Sequence, residues 1–335
     1  MKPLNVIQIG ICHEHANGKF DTLRKCPDCF NLVGVVDERP FSHTPRCHEY
    51  TYILEQAPHV LTLDEALNWN GLDAVLIEVP NLDLAPVAIP FAEKGVPMHC
   101  DKPCGEAMEP YRTLLDICTR KDLPFQMGYM FRGNPAVRFA IQAVKDGILG
   151  EIFEFQADMN HCYGGEPYQD YIGKFRGGIM FNLGCHLIDI AVSMLGRPAH
   201  AAPFLKPAPG DSALNNCTAV LDYPNATAVI TSCSRDAFDG RRRLRVGGTN
   251  GSLEFCPIER YDGRKLEVTL TLKEARGGYA AGTQVLSFGP QTDRYEVQLR
   301  EFAAVVRGEA QDSYTRAHDL LVHEVTLAAA GYIRL

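Results

Sequence analysis

The first 130 residues alternate between apolar runs and amphipathic segments, and this alternation limits the fold more than any other feature. The apolar runs predict buried strands at residues 4–9, 32–36, 73–79, 96–100 and 125–130. Helical patterns lie between them, at residues 15–24, 83–94 and 109–121. A capping box, Thr62 to Glu65, predicts a further short helix before the third run. Strands that alternate with helices form a parallel sheet, so we expect a doubly wound Rossmann-type α/β domain over residues 1–130.

The pattern changes after residue 130. Helices are predicted at residues 135–145, 180–195, 297–307 and 318–332. Strands are predicted at residues 151–158, 217–223, 226–232, 243–246 and 266–272. Because short Asn, Gly and Pro turns separate most of these strands, we expect a largely antiparallel sheet in a second, α+β domain over residues 131–335.

Composition excludes several classes of protein. A chain of 335 residues with 46% hydrophobic and 22% charged residues can bury two cores without disulfides. Its net charge of -8 argues against a nucleic-acid partner. No run approaches the roughly 20 apolar residues of a membrane span, and the first apolar run is too short for a signal peptide, so we expect a cytoplasmic protein.

Twelve cysteines are scattered through apolar runs, which favours reduced and mostly buried thiols. The closest pair, Cys26 and Cys29, has the spacing of a redox pair or of half a zinc site. A structural zinc site needs a second close pair, which the sequence lacks. We therefore expect a loop between a helix and a strand at this pair, with no metal site.

The turn after the first strand is a candidate dinucleotide site. There the amino end of a helix offers backbone N–H groups and a favourable dipole to a diphosphate. Only Gly10 of a GxGxxG fingerprint is present, and it is followed by Ile11, Cys12 and His13. Asp37, at the end of the second predicted strand, is placed to accept hydrogen bonds from a ribose. This favours NAD, and the nearby Arg39 keeps NADP open.

Two further clusters carry chemistry. Asp101-Lys102-Pro103 follows a predicted strand at the sheet edge where ligands of open α/β sheets bind, and a lysine there suits acid/base work. In the second cluster, Asn182, His186 and Asp189 are spaced at i, i+4 and i+7, so a regular helix would present them in one column. Asp189 could then orient His186 as a proton carrier. A histidine that is merely hydrogen-bonded in the core is the alternative for this cluster.

The chain resembles the Gfo/Idh/MocA oxidoreductase family in the order of its motifs: Gly10, Asp37, Val79-Pro80-Asn81, Asp101-Lys102-Pro103 and Gly-Gly-x3-Asn-x-Gly-x-His-x2-Asp at residues 177–189. The resemblance implies a Rossmann domain and a second domain whose open sheet serves a homodimer or homotetramer. It makes Lys102 and His186 the catalytic pair, with Asn182 holding the substrate. It also implies that Pro80 and Asn81 border the nicotinamide, that Asp101 belongs to the cofactor site, and that Tyr129 and Arg132 line the substrate cleft. His161 and Tyr163, in the polar segment 160–176, are predicted to bind substrate hydroxyls because of the hydrogen-bonding groups gathered there.

Three departures from the family pattern matter. Asp101 stands where the family commonly has Glu, and Asn182 where it usually has Asp, which removes a charge that would raise the pKa of the histidine. Cys12, His13 and His15 take the region of the missing glycines. A His/Cys metal site that also uses His161 or Cys162 is left open. The segment 160–176 is expected to be a loop rich in hydrogen-bonding groups.

By resemblance, the expected function is NAD(P)-dependent oxidation of a hydroxyl carbon, or reduction of the keto form, on a sugar, sugar derivative or cyclic polyol. Two alternatives stay open. In the first, the enzyme retains NAD and oxidises a sugar transiently, to cleave a glycoside or to epimerise it. In the second, the chain is a non-catalytic regulator that binds the nucleotide, which the lost glycines favour.

Overall fold

The computed structural model describes residues 2–37, 50–237 and 242–335. Its contacts divide the chain into two compact units. The first comprises Met1–Met130 and Asp293–Leu320, and the second Phe131–Thr292 and Leu321–Leu335. The chain thus returns to the first unit after residue 292, which the sequence-based division at residue 130 does not anticipate. Arg39, the candidate contact to a 2'-phosphate, lies outside the described residues.

The first unit contains a six-stranded parallel sheet in the order β3-β2-β1-β4-β5-β6. Its strands are β1 (Leu4–Ile9), β2 (Phe30–Val36), β3 (Val60–Leu61), β4 (Ala74–Ile77), β5 (Met98–Cys100) and β6 (Phe125–Met127). The predicted parallel sheet is confirmed. All four residues of β4 are buried, as expected for a strand covered on both faces.

The helices of this unit are α1 (Ala16–Lys25), α2 (Thr51–Gln56), α3 (Leu63–Leu67), α4 (Leu84–Lys94), α5 (Tyr111–Arg120) and α9 (Glu296–Val306). The predicted capping box is confirmed, since the Thr62 side chain accepts from the Glu65 backbone and the Glu65 side chain accepts from the Thr62 backbone. Phe20 of α1 and Ile53 of α2 pack with Ile11, Cys12, Val35 and Tyr50 in one buried cluster. Apolar side chains therefore close the turn that joins β1 to α1.

The strand order reverses between β1 and β4, because β1 lies between β2 and β4 in the sheet. Ligands of open α/β sheets bind at such a switch point, outside the carboxyl ends of the strands. The turn at Gly10 and the residues after β4 and β5 all lie at this edge. The fold of the first unit thus brings the predicted cofactor residues to one side of its sheet.

The second unit contains an eight-stranded sheet in the order β14-β13-β12-β11-β7-β10-β9-β8. Its strands are β7 (Ile152–Asn160), β8 (His200–Lys206), β9 (Asn216–Asp222), β10 (Thr227–Cys233), β11 (Arg242–Gly248), β12 (Gly251–Phe255), β13 (Lys265–Leu272) and β14 (Gly282–Pro290). Only the pair β7 and β10 is parallel among the described strand pairs of this sheet. The predicted largely antiparallel sheet is confirmed.

Helices of the second unit are α6 (Pro135–Lys145), α7 (Gly165–Ile172) and α8 (Cys185–Leu195), and α10 (Arg316–Ala329) contributes residues to both units. A 3₁₀ turn covers Met130–Gly133, and a π-helical turn at Met180–Gly184 leads directly into α8. The first eight residues of α8 are all buried. This helix therefore lies in the core of its unit.

Some predictions for the second unit were wrong. The segment 160–176 is not a loop throughout, because α7 occupies its eight central residues, Gly165–Ile172. The helix expected from Met180 begins as a π turn. Strands β8, β12 and β14 were not predicted. The sequences of β8 and β14 alternate weakly, because both are edge strands whose residues are all exposed or half-buried.

In the described part of the chain every cysteine is free and most are buried. Cys26 and Cys29 lie in the turn between α1 and β2, as predicted. Within the same residues, no helix is both long enough and apolar enough to cross a membrane.

Gly10 is fixed by two constraints. Its φ of +94° lies in the region that favours glycine, and a Cβ there would lie 2.8 Å from the Glu78 carbonyl oxygen. We expect Gly10→Ala to lower the free energy of unfolding by clearly more than the ~1–2 kcal/mol of left-handed strain alone. Gly71→Ala is the matched control, because Gly71 has a φ of +76° with nothing within 4 Å of its Cβ position. Equal losses for the two variants in urea unfolding would contradict the steric argument.

Candidate functional site

The turn between β1 and α1 forms the first part of the site. The Gly10 N–H donates to the Val36 carbonyl at 3.0 Å, and the His13 N–H donates to the Glu78 carbonyl at 3.0 Å. These bonds tie the turn to the ends of β2 and β4. Helix α1 follows with no side-chain cap and no acidic residue in its first turn. Its amino end therefore presents the backbone dipole without a competing carboxylate of its own first turn.

His13 and His15 point from this turn toward Asp101, which follows β5. The Nδ1 atom of His13 lies 3.1 Å from Asp101 Oδ2, and the Nδ1 atom of His15 lies 3.1 Å from both carboxylate oxygens. The His13 and Asp101 side chains are fully buried, and His15 is nearly so. The sequence predicted His13 and Asp101 as neighbours of a cofactor, and the structure brings them together.

A buried lysine completes this cluster. The Lys19 ammonium donates to Asp101 Oδ2 at 2.6 Å and to Glu78 Oε1 at 2.8 Å, and all three side chains are fully buried. Sequence reasoning missed Lys19 and Glu78. Lys19 lies one helical turn after His15, and this spacing could have indicated that both residues face the same site. A lysine on a helix usually lies on the solvated face, so the spacing alone did not single it out. Glu78 directly follows the apolar residues of β4.

The pKa values of the cluster follow from burial and from the close charges. Burial lowers the pKa of His15 to about 3 although Asp101 opposes this, so the imidazole is neutral at physiological pH. Burial raises the pKa of Glu78 well above its usual range against the effect of Lys19. For Asp101, burial is outweighed by His13, His15 and Lys19, which together hold its pKa well below the usual range. Asp101 is thus the firmly ionised carboxylate of the pair.

Lys102 is held by its main chain beside this cluster. Its N–H donates to Asp101 Oδ1 at 2.7 Å, and its carbonyl accepts from Asn81 Nδ2 at 2.8 Å. The Lys102 side chain is buried. Pro80 and Asn81 follow β4, so the structure places Asn81, Asp101 and Lys102 in one hydrogen-bonded group. Asp37 directly follows β2 and is half-buried.

Asn182 and His186 flank the junction of the π turn with α8. The Asn182 amide donates to the Tyr168 hydroxyl at 3.3 Å, and the His186 ring packs edge-on against Phe131 with 5.6 Å between centroids. Both side chains are fully buried. Single π turns inside helices occur frequently at functional sites, and this one lies at the predicted catalytic segment.

Asp189 is held by a different partner from the one that the sequence suggested. Arg132 donates to its carboxylate from Nε at 3.2 and 3.1 Å and from a terminal nitrogen at 2.7 Å. Each side chain is only 3% exposed. The carboxylate that was expected to orient His186 is therefore held by a guanidinium. Arg132, a predicted substrate residue, directs the N–H groups along one edge of its guanidinium to this ion pair.

His161 and Tyr163 lie at the carboxyl end of β7, with their rings stacked at a centroid distance of 3.6 Å. The Tyr168 ring meets His161 edge-on at 5.0 Å. Burial lowers the pKa of His161 to about 3, with a further contribution from Arg242. Neither ring nitrogen of His161 has a hydrogen-bond partner in the described part of the chain. Buried polar atoms of this kind point to a ligand or water that supplies the missing bonds.

His161, Tyr163 and Asn182 thus gather around Tyr168 in the second unit, where His186 also lies. Tyr129 belongs to the first unit, where it is buried after β6. Cys162, which the sequence left open as a metal ligand, is exposed. Tyr168 was part of the polar segment noted in the sequence and was not singled out, because the helix α7 that positions it was not predicted.

The residues of the first unit fit a dinucleotide. Gly10 lies closer to the residues after β4 than a residue with a Cβ could, and the amino end of α1 has no side-chain cap. Both features lie at the switch point of the sheet, where a diphosphate would bind. The carboxylate of Asp37 lies where a ribose would bind. The glycine fingerprint departs from the usual one at Cys12 and His15. Cys12 packs in the apolar cluster under α2, and His15 turns toward Asp101.

Residues 137–254 match the model of the GFO/IDH/MocA C-terminal domain. This stretch is similar to the C-terminal domain of the Gfo/Idh/MocA family. It contains α8, with His186, and the strands from β7 to most of β12. The resemblance to this family, expected from the order of the motifs, is thus confirmed for residues 137–254.

Two curated relatives of this chain are named as sugar or polyol dehydrogenases. It is 23% identical over 190 residues to D-apiose dehydrogenase from Paraburkholderia graminis, a match that covers 55% of this chain and 51% of that protein. It is 28% identical over 201 residues to inositol 2-dehydrogenase from Rhizobium meliloti, which covers 58% of this chain and 60% of that protein. The chain therefore spans only about half to three fifths of the length of these two relatives.

Solved structures agree on the fold. An oxidoreductase from Agrobacterium radiobacter, crystallised in complex with NAD+, L-tartaric acid and magnesium, superposes with a TM-score of 0.75 at 17% sequence identity. The superposition covers 99% of this chain and 98% of that one. This chain thus shares its fold with that structure.

Proposed function

We propose that this protein is an NAD(P)-dependent oxidoreductase that transfers hydride between nicotinamide and a hydroxyl or keto carbon of a sugar, sugar derivative or cyclic polyol. The observation that carries the proposal is the six-stranded sheet, whose switch point holds the Gly10 turn and the amino end of α1. The printed names of the curated relatives support the substrate class, and the NAD+ bound by the Agrobacterium protein supports the cofactor.

We propose NAD as the preferred nucleotide. Asp37 directly follows β2, where a carboxylate can accept hydrogen bonds from both ribose hydroxyls of an adenosine. The same negative charge would repel the 2'-phosphate of NADP. Pro80 and Asn81, which follow β4, are proposed to border the nicotinamide.

The bound nicotinamide would accept or return the hydride, and the protein would supply binding, orientation and proton transfer. We propose that Lys102 and His186 are the groups that exchange the hydroxyl proton of the substrate. The rigid main-chain bonds of Lys102 to Asp101 and Asn81 limit the positions that its side chain can reach. Burial of both side chains keeps water from competing for the proton.

A polyol fits the second unit. His161, Tyr163 and Asn182 offer imidazole, phenol and amide groups around the Tyr168 ring, and such groups donate to and accept from hydroxyls. The two ring nitrogens of His161 without hydrogen-bond partners are suited to bind one hydroxyl as donor and another as acceptor. We therefore propose that these residues and His186 bind the substrate. We propose Tyr129 and Arg132 as further substrate-binding residues.

The test begins with the nucleotide that copurifies with the protein, identified by mass spectrometry. A panel of sugars and cyclic polyols is then screened by the absorbance of NADH. We expect at least one substrate to produce NADH, and we expect His186→Ala to lower kcat/KM by about 10²–10⁴-fold with nucleotide affinity retained. The exposed His200→Ala is the matched control. Light scattering on the same sample checks the expected homodimer or homotetramer.

Two other outcomes would contradict the proposal in different ways. Tightly retained NAD with substrate conversion and no net NADH would show transient oxidation, as in cleavage or epimerisation. Nucleotide binding without turnover of any substrate in the panel would favour a regulator. Full turnover in His186→Ala would remove the proposed role of that imidazole and leave the reaction class standing.

A further inference from the structure

One fully buried lysine of the first unit has no part in the proposed reaction as described so far. Lys19 lies near the start of α1, and no part of its side chain reaches solvent. Its ammonium donates to Asp101 Oδ2 at 2.6 Å and to Glu78 Oε1 at 2.8 Å. Another side of the ammonium faces the Tyr295 ring, whose centroid lies 5.8 Å from Nζ. The ammonium is therefore held by contacts from three directions.

Stability does not account for a lysine at this position. Moving an ammonium out of water is costly, and apolar groups that replace a buried ion pair are often neutral or stabilising. Lysine is accordingly almost never fully buried unless it is paired. A buried ion pair can instead fix one arrangement of the groups that surround it. The question is therefore which group the Lys19 ammonium holds in place.

Asp101 connects Lys19 to the main chain of Lys102. Its Oδ2 accepts from the Lys19 ammonium, and its Oδ1 accepts from the Lys102 N–H at 2.7 Å. The Lys102 carbonyl accepts from the Asn81 amide at 2.8 Å, so both polar groups of this residue's main chain are bonded. Because the main chain limits the rotamers of a side chain, the orientation of the Asp101 carboxylate also limits where the Lys102 ammonium can lie.

Lys19 brings a full positive charge to this carboxylate. Its burial is outweighed by Asp101 and Glu78, which raise the pKa of the lysine above its usual value. Burial would raise the pKa of Asp101 too, but His13, His15 and Lys19 hold it well below the usual range. Since burial lowers the pKa of His15 to about 3, that imidazole is neutral at physiological pH. Replacement of Lys19 by an uncharged residue therefore removes a charge that keeps Asp101 ionised.

The strand end beside the pair leaves room for it. Gly128 directly follows β6, and a Cβ there would lie 3.0 Å from Lys19 Nζ and 3.1 Å from Asp101 Oδ1. A side chain at residue 128 would thus press on both partners of the ion pair. The absence of a Cβ at this residue allows Lys19 to reach Asp101 from the opposite side of the sheet edge.

We propose that Lys19 is a positioning residue, which holds Asp101 in the orientation that fixes the main chain of Lys102. The inference rests on the proposed function, in which Lys102 exchanges the proton of the substrate. Without the ammonium, the Asp101 carboxylate loses its bond of 2.6 Å, and the Lys102 N–H loses an acceptor of fixed position. The Lys102 side chain then occupies the reactive position for a smaller fraction of the time.

The experiment compares the full-length wild type with Lys19→Met, which keeps much of the side-chain length and removes the ammonium. Hydrogen–deuterium exchange of the Lys102 N–H is resolved by fragmentation in a mass spectrometer. We expect this amide to exchange about tenfold faster or more in Lys19→Met, the factor for one hydrogen bond to a charged group. For the polyol, kcat should fall about 10–10²-fold, as for a displaced reacting group, whereas KM should change by less than about threefold.

A double variant separates positioning from a general loss of structure. In Lys19→Met/Asp101→Asn, the asparagine carries no unpaired charge and keeps an oxygen that can accept from the Lys102 N–H. We expect this variant to recover most of the slow exchange and most of kcat. Lys25→Met is the matched control, because Lys25 lies at the exposed end of the same helix. It should equal the wild type in both measurements.

Thermal unfolding identifies the variants that are folded at the temperature of the assays. If Lys19→Met does not fold, Lys19→Gln takes its place with the same expectations, because it also removes the charge. Wild-type exchange of the Lys102 N–H in the folded single variant, or a loss of kcat that the double variant does not recover, would overturn the proposal. Absence of turnover in the wild type would overturn the proposed function instead, and the exchange rates would still decide whether Lys19 fixes Lys102.

Discussion

Replacement of Lys102 by methionine should lower kcat/KM for the polyol by about 10²–10⁴-fold, the usual contribution of one acid/base group. Methionine keeps much of the length of the buried side chain and removes the ammonium. The bonds that fix this residue run through its main-chain N–H and carbonyl, so the substitution should leave the local backbone in place. Steady-state kinetics with NAD and a fluorescence titration of NADH measure the two quantities, turnover and nucleotide affinity.

Lys94→Met is the matched control for this substitution. Lys94 is exposed at the end of α4 and bonds to the Leu67 carbonyl and the Asn68 side chain. We expect its kinetics to equal those of the wild type. An unchanged kcat/KM in Lys102→Met would show that proton transfer rests on other residues. A loss confined to nucleotide affinity would make Lys102 a binding residue.

Removal of the Arg132 guanidinium should cost about 3–5 kcal/mol of unfolding free energy, because Arg132→Ala leaves the Asp189 carboxylate buried without its partner. The pair is bidentate in character, with a shortest contact of 2.7 Å and 3% exposure of each side chain. Urea unfolding followed by circular dichroism measures the loss. It should exceed the change for any single exposed ion pair, such as Arg197 with Glu324.

A double variant separates the ion pair from packing. Arg132→Met with Asp189→Leu replaces both charges by apolar groups of similar size, and such replacements are often neutral or stabilising. We expect it to recover most of the stability lost in Arg132→Ala. Loss of stability in the double variant equal to that in the single variant would assign the effect to packing.

The parallel sheet of the first unit could be predicted because its strands are buried on both faces and read as continuous apolar runs. Ala74–Ile77 is such a run, with every residue buried. Edge strands carry a weaker signal. Val60–Leu61 and His200–Lys206 lie at sheet edges and bury little, so periodicity alone does not separate them from loops.

The return of the chain to the first unit could not be predicted from the sequence for another reason. The pattern of an amphipathic helix indicates that one face of the helix covers a core, but it does not indicate which unit that core belongs to. The pattern of α9 (Glu296–Val306) was correct within a residue, but only the structure shows Phe302 packed edge-on against His99 of β5. The helix therefore contributes to the unit whose strands precede it by about two hundred residues in the chain.

The candidate site was predictable as far as its motifs reach. Asn81, Asp101 and Lys102 meet because each follows the carboxyl end of a parallel strand, and such ends share one edge. Lys19 and Glu78 belong to no motif. The burial of each depends on the other and on Asp101. The three residues come from α1 and from the positions that follow β4 and β5, so no single stretch of sequence indicates that they meet.

The π turn at Met180–Gly184 determines the direction, around the helix axis, in which each later side chain of α8 points. Each residue of a helix rotates the next by about 100°, so a chain shortened by one residue in this turn would swing the helix face that carries His186 and Asp189 through that angle. Leu187 and Ile190 would then take the directions of those two polar groups. The number of residues in this stretch therefore matters to the chemistry as much as their identity. Relatives aligned with a gap here should differ in chemistry even where the asparagine and the histidine are retained.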